Sequence, residues 1–228
     1  MKRVWVPLMF GLVGTCILIG LGVWQIQRLA EKEAYLARID ARIAEAPVAL
    51  SEVPDAARDQ YLPVEVEGRF EPATVHVLVG VKDLGAGYRL IQPFETDGRR
   101  ILVDRGFIAL EAKDAPRSAD AVMLKGNLHW PDEISSSTPK PDLTREIWFA
   151  RDVPAMAKAL GTEPVMVIVR SQTPETDAGI TPLPVDSSTI PNDHLQYVVT
   201  WFSLAAIWVI MTGYFLWRSK RTTTGEAV

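Results

Sequence analysis

The chain has 228 residues, 48% of them hydrophobic, and a formal net charge of -4 at pH 7. A mildly acidic chain lacks the basic surface that nucleic-acid binding requires, so we expect no nucleic-acid partner. The single cysteine, Cys16, excludes an internal disulfide and a paired-cysteine redox or metal site. The length is sufficient for one medium-sized domain together with membrane segments.

Two long runs without charged side chains predict two transmembrane helices that form a hairpin. The first covers residues 4–27 and the second residues 194–217, and about 20 apolar residues are enough to cross a bilayer as a helix. A cleaved signal peptide has a shorter apolar core, and a lipoprotein signal has a small residue directly before its cysteine, where this chain has Thr15. We therefore interpret both runs as membrane spans.

Basic residues flank the two spans on their outer ends. Lys2 and Arg3 precede the first span, and Arg218, Lys220 and Arg221 follow the second. Because positively charged flanks stay in the cytoplasm, we expect cytoplasmic termini and an extracytoplasmic central domain. No Arg-rich, acid-poor leader precedes the first span, so we expect a multi-pass protein of a bacterial plasma (inner) membrane.

The region between the spans is predicted to begin as a helix and to continue as short strands. Residues 28–46 are rich in good helix formers and extend the first span. In residues 47–193, β-branched or alternating runs are separated by Gly, Pro and Asp. This pattern is typical of a mainly antiparallel β domain, either a small barrel or a sandwich. Residues 218–228 are left as a cytoplasmic tail.

Seven strands, one tight turn, one short helix and one strap are predicted within this domain. The predicted strands are residues 61–70, 74–81, 87–94, 100–108, 121–130, 145–150 and 164–171. Asp97 and Gly98 stand between two of them and predict a two-residue hairpin turn. Residues 152–161 predict a short helix with a capping residue at each end. Residues 172–191 are rich in proline and predict an extended strap that leads to the second span.

The stretch "NDHLQYVVTWF", residues 192–202, places a histidine where the second span begins. In a helix that starts there, positions 194, 197, 201 and 208 fall close to one face. The first span ends at the same membrane surface with further polar and aromatic residues. The candidate cofactor-binding residues are His194, Tyr197, Trp201, Trp24, Gln25 and Arg28, with His194 as the candidate metal ligand.

This residue set suits a flat, apolar and anionic ligand such as a haem. Imidazole can ligate iron, aromatic faces can stack on a macrocycle, and arginine can bind propionates. The alternative is that His194, Tyr197 and Trp201 only anchor a helix at the membrane surface, where such residues are common. Both interpretations stay open at this point.

Sequence motifs give little support for enzymatic chemistry, and we expect a protein that is not an enzyme. The chain has no G-x-S-x-G elbow, no H-E-x-x-H pair and no glycine-rich phosphate loop. His76 and His129 fall in predicted strands, where surface or packing roles are more common than ligation. Asp104 and Arg105 are adjacent, and we expect their charges to form a structural pair.

Four motifs occur in order between residues 20 and 207. They are "LGVWQIQRLAEKEAYL" at the end of the first span, "YLPVEVEGRF", "GYRLIQPF" followed by "ILVDRGFI", and "NDHLQYVVTWFSLA" at the start of the second span. Each motif is modest alone, but together they are specific. With them the chain resembles a bacterial member of the surfeit-locus family of cytochrome c oxidase assembly factors.

The resemblance implies a non-enzymatic chaperone in the biogenesis of the haem-copper terminal oxidase. It implies that the protein binds haem a, with His194 of the "HLQY" motif as the ligand, and assists insertion of that haem into subunit I. The implied partners are cytochrome c oxidase subunit I, haem a synthesis or delivery proteins, and membrane lipid. Roles for Trp24, Gln25 and Arg28 near the haem are our own inference. The alternative is a structural scaffold that stabilises an oxidase assembly intermediate without binding haem.

Overall fold

The computed structural model describes residues 2–188 and 190–224. Residues 225–228 of the predicted tail and Thr189 of the predicted strap lie outside the described residues. The elements in chain order are α1 (Lys2–Ile43), β1 (Val48–Ala49), α2 (Ala56–Asp59), β2 (Pro63–Phe70), β3 (Val75–Val81), β4 (Gly85–Thr96), β5 (Arg99–Ala109), a 3-10 turn (Leu110–Ala112), β6 (Ala121–Leu128), β7 (Ile147–Trp148), α3 (Val153–Leu160), β8 (Met166–Thr173) and α4 (His194–Thr224).

The chain divides into two compact units, and the first of them is built from its two ends. This unit comprises Met1–Arg38 and Ser188–Val228, and the second unit comprises Ile39–Ser187. Both α1 and α4 contain segments that are long and apolar enough to cross a membrane, Trp5–Ile43 and His194–Ser219. The predicted pair of apolar helices is therefore confirmed.

Helix α1 continues without a break well beyond its apolar part. No glycine or proline occurs between residues 28 and 43, and the residues there are strong helix formers. The helix ends at Ile43, four residues before Pro47, which cannot continue a helix. Within this extension Ile39 is buried and belongs to the second unit.

Five strands of the second unit close into a barrel. Their order is β2, β6, β8, β5 and β4, and β4 returns to β2 through the pairs Arg69↔Glu95 and Phe70↔Phe94. All of these pairings are antiparallel except that of β5 with β8. The structure thus decides for the barrel between the two architectures that the sequence allowed. Strand β3 extends the sheet beyond β4.

Apolar side chains fill the barrel, because every second residue of a strand points to the same side. Val64, Ile101 and Leu124 are among the residues that are fully buried there. A second cluster, with Met156 and Met166, lies where α3 adds its apolar face to the sheet. These two clusters account for most of the buried apolar side chains of the unit.

The local signals for the turn and the short helix are confirmed. Asp97 and Gly98 have φ angles of 47° and 72°, as a two-residue hairpin turn of the primed type requires, and they join β4 to β5. Asp152 caps α3 by accepting a 3.0 Å hydrogen bond from the Ala155 N–H. Gly161 follows the last turn in the left-handed conformation.

Two short strands differ from the prediction. The strand predicted at residues 145–150 is reduced to β7, whose two residues pair in parallel with His76 and Val77 of β3. Strand β1 was not predicted, and it pairs in parallel with Val64 and Glu65. Both strands consist of two residues, which is too short to produce an alternating pattern in the sequence.

The predicted ion pair between Asp104 and Arg105 is wrong. Neighbouring residues of an extended strand point to opposite faces, so these two side chains cannot meet. Asp104 is fully buried and accepts hydrogen bonds from Arg89 at 2.8 Å and Arg151 at 3.3 Å. Arg105 is paired with Asp177 of the strap at 2.6 Å. The charges are structural, as expected, but each has a partner distant in sequence.

The strap is held against β5 rather than running free. Phe107 and Thr181 exchange two backbone hydrogen bonds, of 2.7 and 2.9 Å. Gly106, with a φ of 114°, lies beneath this contact, and a Cβ atom there would collide with the Thr181 carbonyl oxygen and the Pro182 Cα. Only glycine combines this backbone conformation with such a close approach.

The two histidines of the second unit, which contains the barrel and is called the barrel unit below, are buried or half-buried packing residues. His76 is 1% exposed, and within the described residues neither of its ring nitrogens has a hydrogen-bond partner. Burial, and then the charge of Lys113, lowers the pKa of His76. His129 forms a 3.0 Å hydrogen bond with Gln60 through Nδ1. Burial, and then the Arg151 guanidinium, lowers the pKa of His129 to about 4.

Candidate functional site

A hydrogen bond between the two long helices joins two of the predicted site residues. His194 is the first residue of α4, and its Nδ1 lies 2.9 Å from Oε1 of Gln25 in α1. Gln25 is only 8% exposed. A side-chain amide oxygen can only accept a hydrogen bond, so Nδ1 carries the proton. In the neutral ring Nε2 then has a free lone pair, which is the form that ligates metals.

Close packing of α1 against α4 makes this contact possible. Gly11 and Gly14 lie against Thr212 and Trp208, and a Cβ atom at Gly14 would lie 2.5 Å from the Trp208 Nε1. The Trp208 indole donates a 3.0 Å hydrogen bond to the Gly11 carbonyl oxygen. Small residues let helix backbones approach closely, which is a common feature of helix pairs in membranes. These glycines were not among the predicted site residues, although their spacing of three residues places both near one face of α1 and is typical of close helix packing.

Trp24 and Arg28 do not take part in the contact between Gln25 and His194. Trp24 is 47% exposed, and the Arg28 guanidinium lies 5.7 Å from the centroid of its indole ring. Arg28 also forms a 2.9 Å ion pair with Glu31, and both side chains are mostly exposed. An exposed ion pair of this kind contributes at most about 1 kcal/mol, so it leaves Arg28 free to bind another anion.

The predicted aromatic face of α4 is only partly formed. Tyr197 is 52% exposed, so it is not covered by α1. Trp201 and Trp208 lie seven and fourteen residues after His194, close to whole turns, and both are half-buried on the packed side. Within the described residues, the buried Nε1 of Trp201 has no hydrogen-bond partner.

One further polar group near the start of α4 was missed by the sequence analysis. The side-chain oxygen Oδ1 of Asn192 is buried, and no described residue donates a hydrogen bond to it. Asn192 thus has a buried acceptor and Trp201 a buried donor without a partner among the described residues. Each such group lowers the stability of a fold by about 1–3 kcal/mol. Buried polar groups in proteins are nearly always paired, so ordered water or a ligand is expected at each of these two atoms.

Clusters of conventional metal ligands give no additional site. Among residues 2–188 and 190–224, no group of three or more His, Cys, Asp or Glu side chains could hold a metal ion. The candidate site is therefore a single imidazole, His194, with the accepting amide of Gln25 on its Nδ1 side and Trp201 two turns further along α4. A single imidazole is a sufficient protein ligand for the iron of a haem, because the porphyrin supplies four further nitrogens.

A family model and several curated relatives match most of the chain, and all of them carry the same family name. The family model described as "SURF1 family" matches residues 12–206. A SURF1-like protein of Monosiga brevicollis is 33% identical over 216 residues, which cover 86% of this chain and 82% of the relative. Surfeit locus protein 1 of Rattus norvegicus is 30% identical, over 90% of this chain and 73% of the relative.

A bacterial relative has the same extent of similarity. A SURF1-like protein of Rickettsia bellii is 30% identical over 215 residues, which cover 88% of this chain and 86% of the relative. The match of the family model includes the whole barrel, α1 from residue 12 onwards and the first part of α4, up to residue 206. These matches confirm the resemblance that the four motifs indicated, and the chain belongs to the SURF1 family.

Proposed function

We propose that this protein is a membrane-anchored factor in the assembly of cytochrome c oxidase, the role that membership of the SURF1 family implies. We further propose that it binds haem a through His194 and assists insertion of that haem into subunit I of the oxidase. In this role it acts with haem a synthesis or delivery proteins and catalyses no reaction of its own.

The observation that carries the haem proposal is the hydrogen bond from His194 to Gln25. With the proton on Nδ1, Nε2 of the neutral His194 ring has a lone pair that can ligate a metal. His194 would hold a bound haem through this nitrogen, and the haem would supply the iron. Trp201 offers an indole ring and an unpartnered N–H on the same side of α4.

The charged and exposed residues fit the periphery of such a site. Haem propionates are anionic, and the Arg28 guanidinium is held only by an exposed pair with Glu31 and by the Trp24 ring. We propose that Arg28 binds a propionate and that Trp24 and Tyr197 cover the haem edge, since both side chains are about half exposed. Arginine forms strong charge-assisted hydrogen bonds with carboxylates.

A spectrum of the purified full-length protein tests the haem proposal. We expect that the protein, produced together with haem a synthesis enzymes, copurifies with haem and that His194→Ala loses most of it. His129→Asn should keep the haem, because His129 belongs to the barrel unit. A His194→Ala protein that inserts, folds and retains full haem would refute the ligand, and a wild-type protein without haem would favour the scaffold.

The proposed cellular role has its own test. Deleting the gene should lower the activity of the haem a-containing oxidase while transcription of the oxidase subunits stays normal. A gene that encodes only the His194→Ala variant should restore little of that activity. Full oxidase activity in the deletion strain, in the absence of a second copy of the gene, would refute a role in assembly.

We also propose that α1 and α4 span a bacterial inner membrane, with cytoplasmic termini and an extracytoplasmic barrel. The apolar side chains exposed along both helices and the basic flanks of both spans support this topology. A reporter that is active only outside the cytoplasm should give signal when it is fused after Ser136, in an exposed loop. The same reporter should be silent at the C-terminus, and activity there would refute the topology.

A further inference from the structure

We propose that Gln25 is a positioning residue, which fixes the tautomer and the ring orientation of His194 for ligation of iron. This inference rests on the proposed haem-binding function, which names His194 as the ligand. Gln25 itself does not contact the haem in this proposal. It acts through the 2.9 Å hydrogen bond between its Oε1 and the His194 Nδ1.

The hydrogen bond selects one of two tautomers. A neutral imidazole can carry its proton on either nitrogen, and only the form with the proton on Nδ1 leaves Nε2 free for a metal. Oε1 of Gln25 accepts and cannot donate, so it stabilises that form alone. Gln25 is buried, and a hydrogen bond in a region of low dielectric constant is stronger than the same bond in water.

The same bond fixes the direction of the ring. His194 is the first residue of α4, at a position where a side chain would otherwise be free to rotate. Gln25 belongs to the other helix, and the close packing of Gly11 and Gly14 against α4 holds the two helices together. Oε1 of Gln25 therefore orients the imidazole from a rigid support, as the outer hydrogen-bond partners of metal-binding histidines do.

The hydrogen bond to Gln25 also affects the electron density of the His194 ring. An acceptor on Nδ1–H makes the imidazole a more basic ligand. A more basic ligand favours ferric over ferrous iron, so Gln25 would lower the reduction potential of a haem held by His194. Loss of such an outer partner typically weakens metal affinity by about 10- to 100-fold.

Three variants of the full-length protein separate positioning from general packing. Gln25→Met keeps the length of the side chain but removes the accepting oxygen. Gln25→Glu keeps an accepting oxygen at the same distance from the backbone. Trp208→Phe is the matched control, because it removes another hydrogen bond between α1 and α4, from the Trp208 indole to the Gly11 carbonyl oxygen.

The first measurement needs no haem. Nitrogen-15 NMR of the His194 ring in the ligand-free protein, at an alkaline pH where the ring is neutral in every variant, should show the Nδ1–H tautomer in the wild type, in Gln25→Glu and in Trp208→Phe. Gln25→Met should show a mixture of both tautomers. The inference is overturned if Gln25→Met keeps the wild-type tautomer, or if Trp208→Phe changes it to the same extent.

The second measurement uses purified haem a as the probe. Gln25→Met should bind it about 10- to 100-fold more weakly and with a raised reduction potential, while Gln25→Glu should retain the affinity. Retention of haem by His194→Ala would refute the proposed function itself, whatever Gln25 does. Loss of haem by His194→Ala, with wild-type affinity and potential in Gln25→Met, would overturn only the inference about Gln25.

Discussion

Acidification should destabilise the barrel because His129 resists protonation in the fold. Burial, and then the Arg151 guanidinium, lowers the pKa of His129 from 6.5 to about 4. The unfolded chain takes up a proton near pH 6.5, whereas the folded chain does so only near pH 4. The free energy of unfolding is therefore unaffected above about pH 7 and falls as the pH drops through 6.5.

The size of the effect follows from the shift in pKa. Each pKa unit corresponds to about 1.4 kcal/mol, so a shift from 6.5 to about 4 is worth about 3 kcal/mol in full. Between pH 7 and pH 5 the loss should be about 2 kcal/mol. His76, whose pKa is also lowered, adds to the loss in the same direction. Carboxylates contribute little above pH 5, because ordinary Asp and Glu side chains are mostly ionised there in the unfolded chain as well.

Urea unfolding in non-ionic detergent micelles, at pH 7, 6 and 5, measures this loss. Hydrogen exchange of peptides from β2 to β6 reports on the barrel rather than on the long helices. A loss of about 2 kcal/mol moves the unfolding midpoint by on the order of 1 M urea for a domain of this size. The midpoint should fall at each step of acidification.

His129→Asn provides the comparison. An Asn side chain can still accept the hydrogen bond from Gln60, but it does not titrate. It loses the ring that stacks on Tyr61, so stability at pH 7 should fall somewhat. Its dependence on pH between 7 and 5 should be clearly flatter than that of the wild type. An equal loss in both proteins, or a wild type that gains stability on acidification, would show that this reasoning about His129 is incorrect.

Two further predictions concern glycines. Gly106→Ala should lower the free energy of unfolding by at least about 1–3 kcal/mol, because a φ of 114° is strained for alanine and the added Cβ collides with the Thr181 carbonyl oxygen. Thermal unfolding and the rate of proteolysis of the strap measure this loss. Wild-type values of both would contradict the prediction. Gly14→Val should separate α1 from α4, because the valine side chain collides with Trp208. Fluorescence energy transfer between labels on the two helices measures the distance between them. Gly20→Ala has open space around its Cβ and should leave the helix pair intact, and equal effects of both substitutions would contradict the packing.

Local patterns explain why part of this protein could be predicted from its sequence. Uncharged runs of more than about 20 residues predicted α1 and α4, because the length and polarity of a helix are properties of the run itself. Asp97-Gly98 predicted the hairpin, and Asp152 predicted the start of α3, because turns and caps are made by the residues that occupy them. Motif order was sufficient for the family.

The candidate site was predicted as a set of residues but not as an arrangement. Helical spacing indicated that Gln25 and His194 lie at similar depth, but not that they form a hydrogen bond across 169 residues of sequence. The same spacing grouped Tyr197 with His194, although Tyr197 is half exposed and lies off the packed face. Which side of a helix packs is decided by its partner, here by the small residues of α1.

Barrel closure and charge pairing were decided only by the tertiary structure. Strands that alternate in polarity fit a sandwich as well as a barrel, and only the return of β4 to β2 distinguishes them. Arg105 has an acid as its sequence neighbour, yet its partner is Asp177, because the strand geometry turns the adjacent Asp104 to the other face. A sequence determines what each segment can form on its own, whereas pairing between distant segments depends on the free energy of the whole packed chain.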